Sequence, residues 1–185
     1  MGKELKRVDF NSIKKIAIIG GSGSGKTTLA NNLGKVLDLP VVHLDGLNYL
    51  PNWVERNKEE RDKMIIAEAD KEKWIIDGTY SSTLNYRLNK ADLIIWLDFN
   101  TMIKAYSVLK RYANSDGKTA KEEIPGCVEK MDWEFFSWVL KWNHKKRKGI
   151  ISAVHNYQDK TLIFKTRRGL LNWFKKQFDG VKIEY

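Results

Sequence analysis

Residues 20–27 read Gly20-Gly21-Ser22-Gly23-Ser24-Gly25-Lys26-Thr27 and complete the pattern G-x-x-x-x-G-K-[ST]. Before them, Ile16, Ala17, Ile18 and Ile19 form an apolar run that reads as a buried strand, and after them Leu29, Ala30, Leu33, Val36 and Leu37 share one face of a helix. Strand, glycine-rich turn and helix in that order are the context in which the pattern binds phosphate. Glycines let the backbone wrap a phosphate chain with its N–H groups pointing inward, and the opening helix adds the positive end of its dipole. Lys26 brings a mobile charge to the outer phosphates and the Thr27 hydroxyl is placed to ligate Mg²⁺, with Gly20, Gly21, Ser22, Gly23, Ser24, Gly25 and Thr28 completing the nucleotide cradle. A turn without a ligand explains neither the Lys26-Thr27 pair nor four glycines within residues 20–25.

Outward from this loop, short apolar runs alternate with helical patterns, which predicts an α/β fold with a parallel sheet covered on both faces. Strands are expected at 15–19, 41–44, 74–76, 93–97 and 161–165, and helices near 27–38, 56–72, 82–89, 101–113 and 168–178. A long aromatic helix is expected from Asp132, where Trp133, Phe136, Leu140 and Asn143, with Trp138 and Trp142, predict burial on more than one side. Residues 114–131 break the rhythm: they are polar and turn-rich, punctuated by Asp116-Gly117 and Pro125-Gly126. Beside a phosphate loop this stretch reads as a lid, against a passive surface excursion. No repeat or linker divides the chain, so residues 1–185 are expected to form a single domain.

A chain of 185 residues buries a full core without disulfides, and its one cysteine, Cys127, reads as an ordinary small apolar residue in a reducing compartment. No apolar stretch approaches a membrane span and the polar start lacks a secretion signal, so a cytoplasmic location is expected. The formal net charge of +10 draws anions: nucleotides, phosphorylated metabolites or nucleic acid. The densest cluster, Lys141, His144, Lys145, Lys146, Arg147 and Lys148, reads as a solvated helix face or a nucleic-acid patch.

Two carboxylates follow expected strands, Asp45 in His43-Leu44-Asp45-Gly46 and Asp77 in Ile75-Ile76-Asp77-Gly78. Ligands of open parallel sheets bind outside the carboxyl ends of the strands, so both are expected to face the crevice of Lys26. Either orients Mg²⁺ or takes a proton from an acceptor hydroxyl, or serves only as a cap or turn residue. Asp98 reads as the start of a helix, His43 as a hydrogen-bonded structural imidazole, and His144 and His155 lack partners at zinc-ligand spacing. Phosphoryl transfer also needs positive charge. Arg111 is expected on the donor phosphates, Arg87 on an acceptor phosphate or at the surface, and Arg167 beside the nucleotide with Arg168 next to it. Tyr49 and Trp53 stack on a planar substrate or pack in the core.

With these residues assembled, the chain resembles the small P-loop kinases related to adenylate kinase, and within them the FlaR-type proteins known as DNA topology modulation proteins. The segments that carry the resemblance are the phosphate loop, His43-Leu44-Asp45-Gly46-Leu47, Asp77-Gly78-Thr79-Tyr80, Ala91-Asp92-Leu93-Ile94-Ile95-Trp96-Leu97-Asp98 and Asp132-Trp133-Glu134-Phe135. The resemblance implies a P-loop NTPase three-layer sandwich whose five-stranded parallel sheet has the order 2-3-1-4-5. It further implies ATP or a related nucleoside triphosphate with Mg²⁺, a closing lid, and Asp77 at the metal-side acidic position. Adenylate kinases follow the matching Asp-Gly with Pro-Arg, whose arginine holds the acceptor monophosphate, where this chain has Thr79-Tyr80. The expectation is therefore an ATP-dependent kinase of a small molecule, whether nucleoside, nucleotide or other metabolite, with Lys26, Asp45 and Arg111 as catalytic residues and Asp45 and Arg87 on the acceptor. The missing arginine makes a hydroxyl the expected acceptor group. The alternative is a nucleotide-dependent, DNA-associated regulator.

Overall fold

The computed structural model describes residues 7–114, 124, 126–127, 133–179, 181 and 183, with the backbone alone at 114 and 143–145. Five strands form one parallel sheet: β1 (Lys15–Gly20), β2 (Val41–His43), β5 (Trp74–Asp77), β6 (Leu93–Leu97) and β7 (Thr161–Phe164). Their spatial order is β2-β5-β1-β6-β7. Numbered along the chain this is 2-3-1-4-5, the order that the resemblance implies. The apolar runs of these strands are continuous because both faces of the sheet are covered.

Alternation along β1 divides the core. Ala17 and Ile19 face one layer, built with Ile65 and Ala69 of α3 (Lys58–Asp70), Leu84 and Leu88 of α4 (Ser81–Lys90), and Trp142, Ile150 and Val154 of α6 (Trp133–His155). Ile16 and Ile18 face the other, built with Leu29, Ala30 and Leu33 of α1 (Lys26–Leu37) and Leu170, Trp173 and Phe174 of α7 (Arg167–Gln177). Local chemistry starts the helices where packing needs them: Asn57 accepts the N–H groups of Glu59 and Glu60, and Thr166 accepts that of Gly169. Asn100, not Asp98, accepts from Met102 N–H at the start of α5 (Thr101–Asn114).

Three features depart from the sequence expectation. Strand β2 stops at His43, and Leu44 opens a five-residue helix, α2 (Leu44–Asn48), whose inward pair Leu44 and Asn48 spans one turn, too short a period to read from sequence. An antiparallel hairpin of β3 (Tyr49–Leu50) and β4 (Val54–Glu55) follows, pairing only with itself. Helix α6 buries one side rather than several: Val139, Trp142, Ile150 and Val154 face inward while Trp133 is 77 % exposed and Trp138 and Leu140 also face solvent. A helix of 23 residues is about 35 Å long, well beyond the reach of strands of three to six residues, and the exposed Trp133 and Trp138 lie in its first turns. The expected lid, 114–131, lies outside the described residues except for the backbone of Asn114 and for Ile124, Gly126 and Cys127.

Phe174 is 1 % exposed among Phe164, Trp173 and Phe178. Phe174→Ala is expected to cost about 3–5 kcal/mol in urea denaturation, the usual scale for emptying an aromatic site in a core. Tyr106→Ala, on the exposed side of α5, should stay within about 0.5 kcal/mol of the parent.

Candidate active site at the phosphate loop

The parallel sheet sets β1 between β5 and β6, so the loop leaving β1 emerges in the crevice at the carboxyl ends of the central strands. The loop cannot hold itself there, and a neighbouring strand does it. The Thr79 hydroxyl, just past β5, accepts from Gly20 N–H and donates to Gly20 C=O, both at 2.9 Å. Beyond Gly20 the chain turns through Gly23 at φ 75, and a side chain there would lie 2.5 Å from the Lys104 carbonyl of α5. Glycine is the residue that fits both conditions.

The geometry fits a polyphosphate. Helix α1 starts from Gly25 with no side-chain cap and no acidic residue in its first turn, leaving the positive end of the helix toward the loop. Lys26 folds its ammonium back onto the Gly21 carbonyl at 3.3 Å, the position from which it reaches outer phosphates. The Ser24 hydroxyl is 0 % exposed and makes no hydrogen bond among the described residues, a buried polar atom of the kind a bound ligand satisfies.

Asp77 is the last residue of β5, 3 % exposed, and its Oδ2 lies 2.8 Å from His43 Nδ1. The other ring nitrogen of His43 lies 3.0 Å from Asn31 Oδ1, one turn of α1 beyond Thr27. His43 is the hydrogen-bonded imidazole expected of it, and it joins β2, β5 and α1 at one point. Thr27 and Asp77 are the hydroxyl and carboxylate that would hold a magnesium ion, whose remaining ligands come from water and phosphate.

Asp45 lies in the first turn of α2, half-buried, and accepts at Oδ1 from the Tyr80 hydroxyl at 3.0 Å. Burial and the Asp45 charge push the Tyr80 phenol well above its ordinary range, so it stays a donor at any working pH. The Arg61 guanidinium covers the Tyr80 ring at 4.9 Å and also binds Asn48, Asp62 and Ser82. Tyr49 and Trp53 meet edge to face at 5.3 Å across the β3–β4 hairpin. Trp53 and Asn52 both have positive φ, and Cys127 pins that turn: its buried thiol accepts from Trp53 N–H and donates to the Leu50 carbonyl.

Arg87 is a correction. It was expected at an acceptor phosphate or at the surface, and it is 0 % exposed instead. Its guanidinium donates to the Gly78 carbonyl at 3.0 Å and to the Tyr80 carbonyl at 3.2 Å, supporting from below the turn that carries Thr79 and Tyr80. Burial draws its pKa down to about 10, opposed by the Asp77 charge, so it remains cationic at neutral pH. The cause is that α4 turns Leu84, Arg87 and Leu88 inward together, while the irregular turn leaves carbonyls that need a donor.

On the donor side, Arg167 donates to Ser107 Oγ of α5 at 2.8 Å, and Ser107 and Arg111 stand four residues apart on one face of that helix. Seven residues before Arg111 is Lys104, which the sequence reading passed over although the same spacing marks it out. Lys104 is 1 % exposed, with its ammonium 4.3 Å from the centre of the Trp142 ring. Desolvation brings its pKa down to about 8; the Asp98 charge resists this and that of Lys26 adds to it. Within the basic cluster of α6, Arg147 forms a two-pronged pair with Asp98, both contacts at 2.8 Å.

No protein-family model and no curated protein matches the sequence. Solved structures do match in fold. They include shikimate kinase from Acinetobacter baumannii in complex with shikimate, 12 % identical, with a TM-score of 0.56 over 92 % of this chain and 98 % of that one. A gluconokinase from Sinorhizobium meliloti 1021 is 13 % identical, with a TM-score of 0.55 over 90 % of each chain. Shikimate kinase from Bacteroides thetaiotaomicron is 17 % identical, with a TM-score of 0.58 over 89 % of this chain and 96 % of that one. The chain thus shares its α/β fold with these proteins, and no described helix is long and apolar enough to cross a membrane.

Thr79→Val keeps the shape of the side chain and removes both hydrogen bonds to Gly20. It is expected to cost about 1–3 kcal/mol in chemical denaturation, because two buried backbone groups lose their partner. Thr79→Ser should recover most of that loss.

Proposed function

We propose that this protein is an ATP-dependent kinase that phosphorylates a hydroxyl group on a small acceptor lacking a phosphate. The observation that carries the acceptor reading is the commitment of the arginines described around Asp45, among them Arg56, which donates to the Leu47 carbonyl at 2.9 Å and pairs with Glu60. Arg87 is buried under the turn at Gly78 and Tyr80, and Arg61 is engaged by Asp62, Asn48, Ser82 and the Tyr80 ring. What stands there instead is a carboxylate held by a phenol, a pair suited to a hydroxyl.

On this reading the loop N–H groups and Lys26 hold the outer phosphates, and Thr27 and Asp77 hold magnesium. Arg111 and Arg167 serve the nucleotide from α5 and α7. Mg·ATP, when bound, would supply the phosphoryl group and a metal charge that offsets the negative charge on its oxygens. Tyr80 fixes Asp45 through Oδ1, and the second oxygen of Asp45 would take the proton of the acceptor hydroxyl as the acceptor oxygen bonds to the γ-phosphorus and the bond to the β,γ-bridging oxygen breaks, releasing ADP. The kinase folds of the structural neighbours support the reaction class, with each acceptor belonging to its own protein. The narrower likeness to FlaR-type proteins is carried by the sequence segments at 77–80 and 132–135.

A phosphoryl-transfer screen should give turnover with polyols, sugars or nucleosides and none with nucleoside monophosphates or sugar phosphates; the reverse pattern overturns the acceptor reading. With a substrate in hand, Asp45→Asn should lower kcat by roughly 10² or more while leaving ATP affinity within about twofold. Before any substrate is known, Mg·ATP at 100 times its Kd should stabilise the fold by about 2.7 kcal/mol, and Lys26→Ala should abolish most of the rise in Tm. A melting curve that millimolar Mg·ATP leaves unmoved contradicts the phosphate-loop assignment itself.

A further inference from the structure

The β3–β4 hairpin holds a bulky residue in a backbone conformation that suits it poorly. At its turn Asn52 has φ 63 and Trp53 has φ 61. Asparagine enters the left-handed region readily, whereas a tryptophan there is a steric outlier. Its surroundings enforce it. Asn52 N–H donates to the Gly126 carbonyl at 3.1 Å and Trp53 N–H to the Cys127 thiol at 3.3 Å, and that thiol donates in turn to the Leu50 carbonyl. Gly126 has φ 78, and a side chain on it would lie 3.0 Å from Pro51. A glycine at position 53 would keep these hydrogen bonds without the strain, so the turn itself has no need of an indole. Neither does the core: Trp53 is 38 % exposed and belongs to neither buried layer. Strain that the fold enforces, on a side chain that the fold does not bury, marks a place where the ring itself is used.

The neighbours of the ring indicate its use. Trp53 meets Tyr49 edge to face at 5.3 Å, and Tyr49 N–H donates to the Asp45 carbonyl one helical turn earlier. The aromatic pair therefore begins beside the carboxylate assigned to the acceptor. Burial first, and then the charges of Asp45 and Glu55, raise the Tyr49 phenol above its ordinary pKa, so a neutral phenol and two carboxylates discourage an anionic guest. The cations around the hairpin are engaged by the protein, Arg56 with the Leu47 carbonyl and Glu60, Arg61 with Asn48 and Asp62. We propose that Trp53, backed by Tyr49, is the surface on which the acceptor lies, and that the acceptor is a hydroxyl compound built on an uncharged planar ring, as a nucleoside is. The inference rests on the kinase reading above and narrows its acceptor from hydroxyl compounds in general to those with a flat ring. Tryptophan presents the widest flat face of any side chain, and stacking on that face favours a planar partner whatever the pattern of its hydrogen bonds.

The test needs no turnover. Saturation-transfer NMR on the full chain, with Mg·ADP present to occupy the donor side, is run with adenosine, guanosine, cytidine, uridine, thymidine and a hydroxymethylpyridine. Ribose, glycerol and sorbitol serve as hydroxyl compounds without a planar ring. At least one ring compound should bind, with its ring protons the most strongly saturated, and Trp53→Gly should weaken that binding between about fivefold and a hundredfold. Trp53→Phe, which keeps a flat ring, should retain most of the affinity. Because glycine is at ease at this φ, Trp53→Gly should also melt within about 2 °C of the unaltered protein or above it. The proposal is overturned if no ring compound binds, if Trp53→Gly binds it as before, or if that variant melts well below the unaltered protein, which reassigns the ring to the fold. The Mg·ATP shift in Tm, measured alongside, keeps the two readings apart. Its presence without stacking removes the acceptor class alone, and its absence removes the phosphate-loop assignment and the kinase reading with it.

Discussion

The peptide of Gly20 is the constraint on which the site depends. A glycine-rich loop has no side chains with which to hold its own shape, and its conformational freedom is costly to suppress. The suppression comes from outside. The hydroxyl of Thr79 grips the Gly20 peptide from the end of β5, and Arg87 holds the turn carrying Thr79 by two of its carbonyls. The buried arginine and the half-buried loop are thus two ends of one support, and Tyr80, the partner of Asp45, hangs from the same turn. The phosphate loop and the Tyr80–Asp45 pair are both tied to a single segment of four residues, 77–80. Preorganised donors at the place where charge develops are what phosphoryl transfer requires of a protein, since the covalent chemistry belongs to the nucleotide.

How much of this could be read beforehand follows the physics of each signal. The five strands were legible because fully buried strands are written as unbroken apolar runs, and their order came from the resemblance carried by the phosphate loop and its companion segments. Lys26 and Thr27 were legible because the motif fixes their spacing from the glycines, and the place of Asp77 at the carboxyl end of β5 was legible because it follows an apolar run. Arg87 was misread because one sequence shows that a residue is charged and on a helix but not which backbone carbonyls it will find. Thr79 was seen only as the absence of a proline, since its role depends on a partner 59 residues away. Lys104 shares a helical face with Arg111, a pattern visible in the sequence, yet only the close approach of α5 to the loop gives it meaning. Helix α2 and the β3–β4 hairpin are too short for any period to emerge.

The His43 imidazole, seen so far as a partner of Asp77, also decides where the molecule is stiff. It fastens α1 to β5 and β2 within the core, one turn beyond the residues that would meet the nucleotide. A helix held this way cannot swing on its loop, so load applied by a ligand at Lys26 and Thr27 passes straight into the sheet without a hinge. Compliance is left to parts with fewer ties, of which the plainest among the described residues is the β3–β4 hairpin, paired only with itself and fastened at its turn through Cys127 and Gly126. The phosphate loop thus opens onto a helix fastened to two strands, whereas the hairpin of two-residue strands pairs with no strand of the sheet.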